Sequence, residues 1–174
     1  MASQRAADVA PQLTGPAYGV AVLFVLLPFV DTLAQVWPVG LGNPSWRYGA
    51  AGIGANYLVS EVFGVWLLCF IAAARLHRRT LRVLTVLSAV AAVIALLTAA
   101  ALALDALELR PTVPRDNPRN LFMFDVGVTK AMFKYAVAAL IMGWIALSSR
   151  RAWRAIPAHG ADATPTLVRG QVTA

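Results

Sequence analysis

Four long apolar windows dominate this sequence and limit its possible folds more than any other feature. They lie at about residues 17–37, 49–74, 83–104 and 126–149, separated by short polar connections. A membrane-spanning helix needs about 20 mainly apolar residues, and each window reaches that length. Hydrophobic residues make up 59% of the chain and charged residues only 13%, a balance far from that of a soluble domain. The sequence therefore predicts an all-α integral membrane protein with four transmembrane helices.

Basic residues between and after these windows predict the orientation of the chain. The arginines concerned are Arg75, Arg78, Arg79 and Arg82 after the second window, and Arg150, Arg151 and Arg154 after the fourth. Cytoplasmic loops of membrane proteins are enriched in Lys and Arg. The pattern predicts that both termini are cytoplasmic, in a bacterial inner membrane. We expect these arginines, with Trp37 and Trp46 at the ends of spans, to lie among lipid headgroups.

The stretches outside the windows leave little room for a folded extramembrane domain. Residues 1–16 are predicted to form a flexible cytoplasmic lead, which ends at Pro16, a residue suited to a first helical turn. Residues 17–154 are the predicted four-helix transmembrane domain. Residues 155–174 have no apolar periodicity and predict a cytoplasmic tail, in which His159 is exposed.

The first outer connection combines turn signals with aromatic residues. Asn43-Pro44 and the neighbouring glycines are typical of tight turns. Trp37, Trp46 and Tyr48 have the amphipathic rings that favour the membrane boundary. The pattern fits an interfacial re-entry turn, and it also fits a loop that binds a ligand or a partner.

The second outer connection is longer and contains a local apolar run. It covers residues 108–125, and its apolar residues are at 121–124. This run fits a short segment that lies at the level of the lipid headgroups, or a surface that binds another subunit. Asp105 and Glu108 share a helix face just before the connection, and with Arg110 nearby they predict a solvated helix end.

Four charged residues inside the windows are the best functional clue, and we call them the intramembrane charge cluster: Asp31, Glu61, Lys130 and Lys134. An isolated charge at membrane depth costs ~3 kcal/mol on insertion scales and usually faces the protein interior. At the helical rise per residue, Asp31 lies about 9 Å below the outer surface and Glu61 about 20 Å below it. Lys130 and Lys134 come out at about 8 and about 14 Å, and they share one helical face.

These depths predict that Asp31 pairs with Lys130 and that Glu61 pairs with Lys134. Three interpretations stay open: an ion-pair lock between helices, lysines that extend to the outer headgroups, and a proton or ion pathway. In the pathway, Glu61 changes protonation beside Lys134. The polar residues available to line it are Asn56, Tyr57, Ser60 and Thr129.

The third window is rich in small residues between positions 86 and 101. Small side chains let helix backbones approach closely, and in lipid such contacts drive helix association. We therefore expect this helix to pack tightly against its neighbours.

The sequence lacks the motifs of common chemistries. Neither histidine lies inside a window, so ligation of haem or chlorophyll by imidazole within the bundle is not supported. Zinc-protease motifs, a phosphate-binding loop and a nucleophile elbow are also missing. Cys69 is the single cysteine, and the net charge of +7 flanks membrane segments, which favours lipid headgroups over nucleic acid. The sequence thus predicts no cofactor, no metal and no catalytic residue.

One stretch resembles a known family of membrane proteins. The segment from Trp37 to Arg47 contains an Asn-Pro-x-Trp turn and leads into an apolar helix with Glu61 and Gly64. Over residues 33–70 the chain resembles small uncharacterised four-helix bacterial membrane proteins, including the J-type family linked to hormogonium polysaccharide secretion in cyanobacteria. The resemblance implies a bacterial inner-membrane protein and no catalytic residue.

Together these patterns predict an accessory, assembly or stabilising subunit of a larger inner-membrane complex, not an enzyme. Its expected partners are the lipid bilayer and other membrane-protein subunits, without nucleic acid. The alternative is a small proton- or ion-coupled transporter or channel that uses Glu61 and Lys134. A third reading is a membrane enzyme acting on lipid or quinone.

Overall fold

The computed structural model describes residues 2–156 of the chain, with side chains from residue 13 onward, and this part is all α-helical. The helices are α1 (Ala2–Val36), α2 (Pro44–Ala74), α3 (Arg78–Leu109) and α4 (Pro118–Ala155), with a 3-10 turn at Arg110–Thr112. All four α-helices are long and apolar enough to cross a membrane. The predicted all-α class, with four helices long and apolar enough to span a membrane, is therefore confirmed.

The helices extend beyond the predicted windows. α1 includes residues 2–16, which the sequence assigns to a flexible lead, and α4 includes residues 118–125 of the second outer connection. The helices have 31 to 38 residues. At that length each exceeds a hydrocarbon core of about 30 Å, so helix ends reach the headgroup regions. The predicted tail from residue 157, with His159, lies outside the described residues.

The two Asn-Pro pairs begin helices. The Asn43 side-chain oxygen accepts a hydrogen bond from the Ser45 backbone N–H at 2.9 Å, and Asn117 accepts from Arg119 N–H at the same distance. Each cap satisfies a backbone donor that the first turn leaves free. The proline that follows each asparagine has no N–H to satisfy and has a φ suited to a helix start. Asn43-Pro44, predicted as a tight turn, thus marks the start of α2, and Asn117-Pro118 marks the start of α4.

α2, α3 and α4 form the central unit, and α1 lies beside it. α2, α3 and α4 pack against one another, and the α3–α4 contact is the most extensive. Small side chains such as Ser88, Ala95 and Ala139 are buried there, in agreement with the packing expected of the third window. Among the described residues, α1 packs extensively against α2 alone.

The contact between α1 and α2 depends on Gly64. A Cβ at this position would lie 2.7 Å from Val25 Cγ2 and 2.9 Å from Phe24 Cβ. Next to it, the Ser60 hydroxyl donates to the Phe24 carbonyl at 3.1 Å. The absence of a side chain at Gly64 therefore lets the two helices approach closely.

The arginines of the predicted cytoplasmic face gather at one end of the bundle, which we call the basic end. There the guanidinium groups of Arg78, Arg82 and Arg154 lie 5.7, 5.8 and 5.7 Å from the centre of the Trp153 ring. The Tyr18 hydroxyl is 3.0 Å from His77 Nδ1 at the same end. The opposite end holds residues 37–43 and 110–117, and we call it the loop end.

Candidate functional site

The structure separates the first predicted ion pair. Asp31 on α1 and Lys130 on α4 are both exposed. Because α1 packs extensively against α2 alone, it lies away from α4. The predicted Asp31–Lys130 pair is therefore wrong, since equal depth in the membrane does not make two helices neighbours.

The second predicted pair is also wrong. Lys134 Nζ donates to the Asn56 side-chain oxygen at 3.0 Å. Glu61 is half-buried on α2 and has no ion-pair partner among residues 13–156. Asn56 precedes Glu61 by five residues, about 7.5 Å nearer the loop end. Lys134 thus directs its side chain to Asn56 on α2 and not to Glu61.

The loop end contains an ion pair that the sequence reasoning missed. Arg47 Nε lies 3.1 Å from both carboxylate oxygens of Asp105, and its Nη1 donates to the Leu41 carbonyl at 2.9 Å. Asp105 is buried, with 5% of its side chain exposed, so the predicted solvated helix end is wrong at this residue. Glu108, on the same helix, is exposed. The sequence feature that could have indicated this pair is the position of its members: Arg47 lies in the first turn of α2, and Asp105 lies near the end of α3.

A second ion pair ties α3 and α4 together at the loop end. Arg110 Nη2 donates to Asp125 at 2.9 Å, and both side chains are about half exposed at 53% and 43%. It connects the end of α3 to the start of α4. Both salt bridges of the described side chains therefore lie at the loop end, outside the intramembrane charge cluster.

Two lysines and an amide line a cleft between α2 and α4, which we call the lysine cleft. It has a volume of about 400 Å³. Its lining residues are Tyr48, Gly49, Gly52, Ile53, Ala55, Asn56, Leu102, Gly127, Val128, Lys130, Ala131 and Lys134. A Cβ at Gly49 or Gly52 would meet nothing within 4 Å, so these glycines leave the cleft open. Behind it, the Tyr135 hydroxyl donates to the Ala51 carbonyl at 2.8 Å and holds the helices together.

An apolar groove continues from the lysine cleft along α2 and α4. Its volume is about 420 Å³. The residues that line it are Leu58, Val59, Val62, Phe63, Trp66, Phe133, Lys134, Val137, Ala138 and Ile141. Lys134 belongs to both the cleft and the groove. The cleft and the groove therefore meet at Lys134, with both lysines in the lining of the cleft and mainly apolar side chains in that of the groove.

The aromatic residues of the first outer connection differ in their environment. Trp46 is partly buried and its indole N–H donates to the Val36 carbonyl at 2.8 Å, so it closes the turn between α1 and α2. Trp37 is 75% exposed. The Tyr48 ring stacks on Phe124 at 5.2 Å, which holds part of the apolar run 121–124 against α2. Phe122 of the same run is exposed.

The lysine cleft presents hydrogen-bond donors and positive charge. Lysine ammonium and asparagine amide groups provide hydrogen-bond donors, with positive charge from the lysines. Among the described residues, no three His, Cys, Asp or Glu side chains are grouped as metal ligands would be.

The fold and the apolar lengths of its helices define a multi-pass membrane protein. No protein-family model, no curated protein and no solved structure matches the chain.

Proposed function

We propose that this protein is a non-catalytic accessory subunit of a larger bacterial inner-membrane complex, and that α1 is its docking helix. One observation carries the proposal: Asp31 is an exposed carboxylate on α1 with no ion-pair partner among residues 13–156. The assignment to a bacterial inner membrane draws on the resemblance over residues 33–70.

The position of Asp31 makes it costly in a solitary protein. It precedes the last residue of α1 by five positions, which places it about 7.5 Å inside the helix end. An unpaired charge costs ~3 kcal/mol at the centre of a span on insertion scales, and less toward the ends of the span. A partner helix that offers a Lys, an Arg or a polar donor at the same depth offsets this cost.

The face of α1 around Asp31 suits a helix partner. Leu23 and Leu27 precede Asp31 by eight and four positions and share its face. Leu23 is 51% exposed and Leu27 is 57% exposed. This face combines apolar contact area with a single charge, and the charge selects a partner of complementary polarity. The partner we propose is therefore a transmembrane helix of another subunit that carries a basic residue.

The proposal includes the orientation of the chain. The arginines of the basic end favour the cytoplasmic side by the positive-inside rule. Both termini are then cytoplasmic, and the loop end with Asp31 near it faces the outside of the inner membrane.

Site-directed photo-crosslinking in the native membrane tests the docking face. A photoreactive amino acid at Leu27 is compared with one at Leu97, which is 64% exposed on α3. We expect one discrete adduct with a different membrane protein from position 27, and none from position 97. Asp31→Asn should abolish the position-27 adduct because it removes the charge while keeping the shape. Equal adducts from both positions, adducts only with a second copy of this chain, or no adduct contradict the proposal.

A proton- or ion-coupled transporter is the second candidate, favoured by half-buried Glu61 without an ion-pair partner. An unpaired carboxylate within a span is a common element of proton pathways. However, Lys134 hydrogen-bonds to Asn56, so it makes no relay contact with Glu61.

A flux assay in proteoliposomes separates the two candidates. Glu61→Gln and Lys134→Met are compared with the unmodified protein for proton and ion movement. The accessory-subunit proposal expects the same background flux from all three. A flux above that of empty liposomes that either substitution abolishes would establish the transporter instead.

A further inference from the structure

We propose that the lysine cleft and the apolar groove together bind an acidic phospholipid. Its phosphate lies between Lys130 and Lys134, and one acyl chain follows the groove between α2 and α4. This site lies on a different surface from the α1 docking face, so it does not depend on the proposed subunit function.

The lysine cleft carries positive charge that no acid of its lining compensates. Lys130 is exposed and has no hydrogen-bond or ion-pair partner among the described side chains. Lys134 uses one hydrogen bond on Asn56, and an ammonium group has three donors. No Asp or Glu lines the cleft. Asp125, five positions before Lys130, is paired with Arg110.

The mouth of the cleft provides room for a headgroup and a further donor. The Tyr48 hydroxyl lies 3.8 Å from where a Cβ would stand on Gly127. It faces across the opening from α2 to α4. Glycines at 49, 52 and 127 line the same opening, and their small size brings the backbone of both helices close to a bound group.

The groove supplies the apolar half of the site. From Lys134, it extends past Val137 and Ile141, seven positions and about 10 Å farther along α4. Lys134 is its one charged lining residue. An amphiphile with a phosphate at one end and a hydrocarbon chain at the other therefore matches the surface along its length.

Charge complementarity selects this occupant over a zwitterionic lipid or another helix. Phosphate is well matched to lysine ammonium groups, and basic residues near a membrane surface attract anionic lipid. Lys130 and Lys134 lie in the half of α4 nearer the loop end, and lysine side chains within a span extend toward the headgroups. A zwitterionic headgroup carries its own cation, which the two lysines repel. A free phosphate leaves the groove unused.

Native mass spectrometry of the purified full chain tests binding. Phosphatidylglycerol is titrated against phosphatidylcholine with the same acyl chains, and inorganic phosphate is added as a competitor. We expect tighter binding of phosphatidylglycerol, unaffected by millimolar phosphate. Lys130→Gln with Lys134→Gln should lower its affinity about tenfold or more, as two lost lysine contacts predict. Arg115→Gln with Arg119→Gln, at exposed positions outside the cleft lining, is the charge-matched control, which should retain the affinity.

A second variant and a crosslink locate the lipid. Gly52→Leu fills the lysine cleft without removing charge, because a side chain there meets open space. We expect it also to lower the affinity for phosphatidylglycerol, while circular dichroism shows an unchanged helix content. A phosphatidylglycerol with a photoreactive acyl chain should label Phe133 or Ile141 on α4 and spare Leu97 on α3.

Four outcomes would overturn the proposal. They are equal affinity for the two lipids, equal loss in the charge-matched control, unselective labelling of both helices, and displacement by phosphate alone. The last result would assign the cleft to a soluble anion. Failure of this site leaves the α1 crosslinking result unaffected, so the two proposals are tested separately.

Discussion

Asp105 is the carboxylate that organises the loop end. It lies on α3 with 5% of its side chain exposed, and the Arg47 guanidinium binds both of its oxygens from the first turn of α2. The Leu41 carbonyl accepts another Arg47 hydrogen bond, so this one side chain joins the first connection to two helices. A buried carboxylate is tolerated when it is paired in this way.

The two loop-end ion pairs provide a matched comparison of buried and exposed interactions. We expect Arg47→Met to lower the midpoint of thermal unfolding by about 5 °C or more, because it leaves the Asp105 carboxylate buried without its cation. Arg110→Met should have a much smaller effect, since its partner Asp125 is about half exposed. Thermal unfolding in one detergent measures both. Equal shifts would contradict the role assigned to Asp105.

At the level of single residues, the sequence predicted the depths of the charged side chains but not their partners. Helix rise gives the depth of Lys134, but it does not give the rotation of α4 or the direction in which a long side chain extends. Asn56 lies one to two turns nearer the loop end than Glu61, and it accepts the hydrogen bond from Lys134. Asp105 was predicted as solvated because its partner Arg47 is 58 positions away in the sequence and belongs to another helix.

The four helices divide into a packed unit and a lateral helix. α2, α3 and α4 share buried side chains such as Ala55, Leu102 and Tyr135. α1 joins this unit through α2, along the surface that contains Gly64. The outer face of α1 thus remains free for another protein, as the proposed docking requires.

Gly64→Val tests how α1 is held. A valine Cβ would overlap Val25 and Phe24, so we expect α1 to move away from α2. Gln35 and Tyr57 hydrogen-bond across this interface at 2.8 Å, and cysteines at these positions report on it. In a Cys69→Ser background, a short bis-maleimide should link them efficiently, and Gly64→Val should reduce the yield severalfold.

Gly143→Val is the control for that experiment, since a Cβ at Gly143 meets nothing within 4 Å. It should leave the crosslinking yield unchanged. A yield that Gly64→Val does not lower would contradict the close α1–α2 approach.

The positions of the helices along the chain could largely be predicted from the sequence, but which helices are neighbours in space could not. Apolar length indicated four spans, but the predicted second and fourth windows begin at residues 49 and 126, whereas the helices begin at Pro44 and Pro118. The position of α1 beside α2 depends on the absence of a side chain at Gly64, a feature that the hydropathy of the window does not contain. The sequence resemblance drew attention to Gly64 without giving it this role.

At the scale of the whole molecule, charge is distributed along the bundle axis. The basic end holds Arg78, Arg82 and Arg154 around Trp153, whereas at the loop end Arg47 and Arg110 are in ion pairs with acids. The positive-inside rule counts Lys and Arg, and the cluster of arginines supports the proposed cytoplasmic position of the basic end.

Cysteine labelling measures that orientation directly. Leu41 at the loop end is 68% exposed and Arg79 at the basic end is also exposed. In a Cys69→Ser background, we expect a membrane-impermeant maleimide to label Leu41→Cys in spheroplasts. Arg79→Cys should be labelled only after the membrane is broken. The reverse pattern would contradict the proposed topology.

The mass of the particle that contains this chain is the most direct test of the accessory-subunit account. After gentle detergent extraction, native mass measurement should find the 18.5 kDa chain in a larger complex with at least one other polypeptide in fixed stoichiometry. Asp31→Asn should release it, whereas Asp116→Asn, at an exposed loop position, should not. A strictly solitary 18.5 kDa particle, or an assembly of this chain alone, would contradict the account.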